Sequence, residues 1–321
     1  MTYPVDPAVL RVHAEVVEVF RAGTGDLAGV CRAARDRLAG LPGLDAREPR
    51  SWSSYRLVTA DALTLLGYLR ETGVETSEPA SFRALLIDVL RYLYEAEQPA
   101  LGVLPARFLH QDWTARLGAS HAATVDVAER LAACLFALGE TEQSRPLFEE
   151  VLRLRTRVRG ADDPATLLAA CNLGACLALD QVHDAALRLT EDTAERCERL
   201  LGADHETTLL AIANLAATLS ALGAHDRVLA LRRDVLARRR RISGEDSVLT
   251  LRAEAGVADT LHELGQHEAA RALNAALLPR FERVAGRDHS GTRRTRARLE
   301  QNLRALGRDE EADEVGGKPR F

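Results

Sequence analysis

Five glycines, Gly118, Gly160, Gly202, Gly244 and Gly286, stand 42 residues apart, and so do Thr124, Thr166, Thr208, Thr250 and Thr292. A third column, Gly139, Gly223, Gly265 and Gly307, keeps the same period and is interrupted only by Gln181. Three columns in one register restrict the chain more than any other feature, because a period of this length belongs to stacked supersecondary units. Each unit reads as a helical hairpin. A polar loop such as Gly202-Ala203-Asp204-His205 brings a capping side chain to the free N–H groups of the helix after it. Apolar residues then recur at helical spacing, as in Leu167, Cys171, Leu173, Gly174 and Leu177. A glycine corner permits the left-handed backbone that ends this helix, and a second amphipathic helix follows, over 185–200 in one unit and 227–242 in the next. One such pair cannot bury its own apolar face, so neighbours must stack. The expected fold is all-α: an α-solenoid of helix-turn-helix repeats with an N-terminal helical region.

The remaining punctuation divides the chain. Five repeats occupy 117–313, the last of them truncated, and 77–116 reads as a degenerate repeat. Residues 1–76 read as a helical cap or diverged repeats: two helices joined by Gly23-Thr24-Gly25, a Pro- and Gly-bearing loop from Gly40 to Ser51, and a helix over 52–72. Residues 314–321 read as a flexible tail.

The segment 117–313, about 60% of the chain, resembles tetratricopeptide repeats of the 42-residue kinesin light chain type. The resemblance is carried by Leu201-Gly202-Ala203-Asp204-His205 with Asn214-Leu215-Ala216, and by Asp163-Pro164-Ala165-Thr166 with Asn172-Leu173-Gly174. His183, His225 and His267 stand where the family has tyrosine, and Gly256 and Arg298 where it has asparagine. The resemblance implies a right-handed superhelix whose first helices line a groove for a protein or peptide ligand.

Composition narrows the function. The formal charge is −5, which argues against direct nucleic-acid binding through bulk positive charge. Seven Phe, five Tyr and two Trp are too few for a base-stacking platform. No apolar run approaches the roughly 20 residues of a membrane span, and the first residues lack a basic segment followed by an apolar one. A cytoplasmic protein is expected, with no membrane partner. Its five cysteines, Cys31, Cys134, Cys171, Cys176 and Cys197, form no Cys-x-x-Cys pair and read as small buried hydrophobes rather than as a zinc or disulfide framework.

Chemistry is sought first among the nine histidines. His121, His205 and His289 share one repeat position and His183, His225 and His267 another, which points to structural capping rather than metal binding. Of the others, His110, beside Asp112 and Trp113, is the catalytic candidate to watch. Phosphate-cradling, nucleophile-turn and dinucleotide motifs are missing, so neither an enzyme nor a cofactor or metal is expected. The run Arg238–Arg241 reads as a solvated outer face. One column does look like a binding site: Arg130, Asn172, Asn214, Gly256 and Arg298 precede the Leu-Gly/Ala pair of each first helix or its equivalent. Asparagine has poor helix propensity, but its amide can hold an extended backbone while arginine forks onto a carboxylate. Arg252, Asp259, Arg294 and Gln301 occupy adjacent groove positions. Asn172 and Asn214 either bind ligand or hold the repeats in register. From Gly286 to Arg308 seven arginines face only Asp288 and Glu300, so the expected ligand is an extended, acidic peptide. The reading is a non-catalytic scaffold that binds a protein or peptide, and a homodimer is left open. The alternatives are a regulatory peptide sensor acting through a partner protein, and an enzyme or accessory protein of a biosynthetic pathway with its site between the N-terminal helices and the solenoid.

Overall fold

The computed structural model describes residues 4–21, 25–41, 45 and 51–317. Most of the Gly23-Thr24-Gly25 junction, the interior of the Gly40–Ser51 loop and the last four residues of the expected tail lie outside them. Among the described residues there are fifteen helices and no strand. Five precede the periodic segment: α1 (Pro7–Arg21), α2 (Leu27–Ala39), α3 (Trp52–Thr72), α4 (Ala80–Glu95) and α5 (Pro99–Leu117). The repeats then alternate a first helix of 16 residues with a second of 19: α6 (Ala122–Ala137) and α7 (Thr141–Arg159), α8 (Pro164–Leu179) and α9 (His183–Leu201), α10 (Glu206–Ala221) and α11 (His225–Ser243), α12 (Val248–Glu263) and α13 (His267–Ala285). A further first helix, α14 (Ser290–Ala305), is followed by α15 (Asp309–Val315), so the beginning of the expected flexible tail is helical.

The periodic columns have local causes. His121, Asp163, His205, Ser247 and His289 are the N-caps of the five first helices, each accepting from the backbone N–H two residues on. This satisfies a donor that the first helical turn leaves free. The glycines before them all have φ between 78° and 92°, where a side chain is strained. Two members of the threonine column tie cap to corner, Thr208 Oγ1 donating to the Gly202 carbonyl at 2.8 Å and Thr292 Oγ1 to that of Gly286 at 2.7 Å. Thr124 instead reaches the Trp113 carbonyl at 3.4 Å, and the hydroxyls of Thr166 and Thr250 are buried without a hydrogen bond. His183, His225 and His267 are different. They begin the second helices without making a cap hydrogen bond. Nδ1 of His183 is buried without a hydrogen-bond partner, Nδ1 of His225 lies 3.3 Å from Glu263 Oε2, and Nδ1 of His267 lies 3.3 Å from that of His262. They cap no helix, which corrects the capping expected of them.

The helices form two compact units, Met1–Val158 and Arg159–Phe321. In the first, α4 and α5 pack against α6, and one apolar cluster runs from Tyr55 and Phe82 through Trp113 to Val127, Leu131 and Leu135. That continuity places the first repeat with the N-terminal helices. In the second unit successive helices pack in order from α8 to α15, and the buried apolar side chains fall into several separate clusters, the largest of them spanning α8 to α11. Gly174 shows how close the helices of a pair come: a Cβ there would lie 2.7 Å from Thr190 Cγ2.

Candidate functional site

The column singled out in the sequence is distributed over both units, and its members do different things. In the first unit, Arg130 on α6 donates to Glu129 at 2.9 Å and is largely covered, so its charge is neutralised at source. Its neighbour Glu129 is buried beneath two guanidinium groups, with Arg155 of α7 bound to both carboxylate oxygens at 3.0 and 2.9 Å. In the second unit, Asn172 is half-buried on α8. Asn214 on α10 donates through Nδ2 to the Cys171 carbonyl on α8 at 2.8 Å, a bond that holds adjacent first helices in register.

The other candidates converge at α12 and α14. Asp259 is buried and carries two guanidinium groups: Arg298 Nε at 2.9 Å from Oδ1, and Arg294 paired with Oδ2. Arg298 also donates to Gln301 Oε1 at 2.8 Å. Arg294 keeps most of its side chain in solvent, and Arg252 is exposed on α12. Sequence reasoning missed a third cation. Arg232, from the second helix α11, sends Nη1 to the Gly256 carbonyl and to Thr260 Oγ1, both at 2.7 Å. Burial pushes its pKa down, Glu263 and Asp259 oppose this, and Arg294 and Arg298 press the same way as burial. Position 256 is where the family places asparagine; with glycine there, a Cβ's place lies only 3.5 Å from Arg232 Cδ. The missing asparagine was thus the signal that could have pointed to Arg232. Three arginines against Asp259 and Glu263 leave one positive charge unmatched, an arrangement suited to a further carboxylate.

Two family models described as tetratricopeptide repeat match residues 122–193 and 208–248. Residues 122–193 and 208–248 therefore carry tetratricopeptide repeats. Their 42-residue period resembles that of the kinesin light chain type. A crystal structure of the Podosopora anserina kinesin light chain nearly identical TPR-like repeats is similar with a TM-score of 0.52 at 17% identity, covering 65% of this chain and 98% of that one. BtubC (BKLC) from P. vanneervenii is similar with a TM-score of 0.50 at 16% identity, over 71% of this chain and 89% of that one. The apo form of RapI covers 93% of this chain and 81% of its own, with a TM-score of 0.53 at 11% identity. At these identities the likeness is one of fold. No curated protein sequence matches.

The remaining sequence candidates lie elsewhere in the fold. Among the described residues no group of three or more His, Cys, Asp or Glu is placed to hold a metal ion, and no helix is long and apolar enough to cross a membrane. Asp112, two residues after His110, takes hydrogen bonds from Thr76 and Arg116, both at 2.7 Å, and Trp113 Nε1 donates to Thr76 at 2.8 Å. Burial pushes the His110 pKa down. The run Arg238–Arg241 is no freely solvated face. Arg238 reaches the Ala203 carbonyl at 2.9 Å, Arg239 pairs with Glu206, Arg240 with Glu245 at 3.2 Å, and Arg241 with Asp204 at 2.6 Å. These contacts tie second helices to the loops between repeats.

Proposed function

We propose that this protein is a non-catalytic binding scaffold whose first-helix face at α12 and α14 holds an extended, acidic segment of a partner protein. The observation that carries this reading is the surplus of guanidinium over carboxylate around Asp259, with Arg294 and Arg298 on its two oxygens and Arg232 beside them. An incoming carboxylate would share donors that Asp259 does not saturate, since each guanidinium carries five N–H groups in a planar fork. Arg130 and Asn214 take no part: the first is neutralised by Glu129, and the second bonds to the neighbouring helix.

The test is to recover an acidic binding segment by pull-down and titrate it calorimetrically. Loss of one arginine–carboxylate contact in Arg298→Ala should weaken binding by roughly 1.5–3 kcal/mol, about ten- to a hundredfold, and added salt should weaken binding to the wild type as well. Asn214→Ala should keep its affinity and lose stability. An Arg298→Ala variant that folds normally and binds as tightly as wild type would overturn the reading.

A further inference from the structure

The opposite, second-helix face of the unit Arg159–Phe321 carries two neighbouring grooves that share α11. One lies between α9 and α11 over α10, encloses about 550 Å³, and is rimmed by Glu191, Glu195, Glu198 and Asp234 above Ile212 and Leu215. The other lies between α11 and α13 over α12, encloses about 650 Å³, and is rimmed by Arg233 and Arg240 above Leu236, Val257, Leu261 and Leu273. The grooves are one repeat apart, so Glu191 corresponds to Arg233 and Glu198 to Arg240, each 42 residues on. The same structural groove therefore occurs twice with its charge reversed.

Most of these charges are matched within the chain. Glu191 pairs with Arg227 at 3.0 Å, Glu198 and Asp234 with Arg238 at 3.1 and 2.8 Å, and Arg240 with Glu254 at 3.3 Å. Glu195 and Arg233 remain: both are exposed, and neither forms an ion pair among the described residues. Each groove thus carries one charged side chain without an ion pair, over an apolar floor, and the two are opposite in sign.

We propose that this face is a self-association surface, on which a second copy of the chain docks about a two-fold axis parallel to α11 and lying between the two α11 helices. Such an axis places the acidic groove of each copy over the basic groove of the other, so that the contact of Arg233 with the second copy's Glu195 is made twice, as an isologous interface requires. Ala230 and Ala237, small and exposed on α11, let the two α11 helices approach. Apolar floors supply attraction while the paired charges select register and partner. This surface is separate from the arginine cluster proposed to bind a partner.

Sedimentation equilibrium of wild type, Arg233→Glu, Glu195→Arg and the double variant tests the assignment. Wild type should self-associate. Each single reversal, which sets like charges opposite one another twice per dimer, should raise the dimer dissociation constant by at least about tenfold, with helix content unchanged by circular dichroism. The double reversal should restore association to near the wild-type level, an outcome that a general loss of folding cannot mimic. A wild type that is monomeric at every concentration, single variants that associate like wild type, or a double variant that fails to recover would each overturn the proposal. Titration of an acidic segment against the monomeric single variants separates the two readings, because a failed groove binding leaves the sedimentation result standing.

Discussion

The repeat formed by α6 and α7 and the one formed by α8 and α9 share helix lengths and the place of their N-caps, yet differ in three respects that matter for stability. Where the first has Glu129 under Arg155, the second has two buried free thiols, Cys171 and Cys197, with Cys171 Sγ 4.0 Å from the Thr207 carbonyl. Where the first has Ala132, the second has Gly174 against Thr190. Where the first turns its corner on Gly139, the second does so on Gln181 with φ of 60°. A period constrains the backbone and the contacts every unit must make; it leaves the chemistry of the buried centre free to vary. The two repeats should therefore fail under different stresses.

The sharpest difference is the buried charge. Burial by itself would raise the Glu129 pKa; the guanidinium groups of Arg130 and Arg155 outweigh it and hold the carboxyl below its ordinary 4.5. A depressed carboxyl contributes stability that is fully present above the unfolded value of 4.5 and is lost as pH falls through the folded value. Both tryptophans, Trp52 and Trp113, lie in the unit that contains this pair, so their fluorescence reports on it. Glu129→Gln leaves the two arginines facing a neutral amide and should cost about 3–5 kcal/mol at pH 7. The gap between variant and wild type should narrow progressively as denaturation is repeated below pH 4.5. A gap that stays constant with pH would show that Glu129 is not ionised in the folded protein.

The second difference concerns space. Replacing Gly174 by Leu pushes a branched side chain into Thr190, whose methyl would already lie 2.7 Å from a new Cβ. Overpacking of this kind should cost roughly 1–3 kcal/mol, read as a lower midpoint in thermal melts followed by circular dichroism. Melts that superimpose on wild type would mean that α8 and α9 can separate without loss, contrary to the packing described.

The sequence shows some of these features because their causes are local. The N-caps His121, Asp163, His205, Ser247 and His289 bond two residues on, so they could be read from the chain, as could the glycine corners. Contacts across helices could not. Arg232 reaches Gly256 across 24 residues, and only the turn of α11 decides that it points toward α12 rather than solvent. Arg294 and Arg298 look like free cations in a basic segment until Asp259, on the preceding first helix, is seen between them. The position of the break at Val158 also has no local signal. It follows from an apolar cluster that joins α4 and α5 to the first repeat, whereas the period treats that repeat as equivalent to the rest.

The smallest of the three differences is the corner. In the left-handed region a side chain's Cβ crowds the carbonyl that follows it, at a cost of roughly 1–2 kcal/mol that glycine does not incur. Gln181 adopts φ of 60° at the position where Gly139, Gly223, Gly265 and Gly307 have 81°, 77°, 73° and 72°. The turn is held all the same, with the Val182 N–H bonded to the Leu177 carbonyl at 3.0 Å, a bond that the glycine corners repeat at Glu140, Ala224, Gln266 and Arg308. Because these backbone bonds do not depend on the side chain, Gln181→Gly should keep them and remove the strain. The gain is offset in part by the greater freedom of glycine in the unfolded chain, about 0.4–1 kcal/mol. The net expectation is a stabilisation of roughly 0.5–1 kcal/mol, seen as a higher denaturation midpoint with an unchanged slope. Gly223→Gln should do the reverse in the next repeat, where the corner already has glycine. If Gln181→Gly destabilises instead, the glutamine side chain makes a contact worth more than its strain, and the interruption in the glycine column is a feature the second repeat depends on.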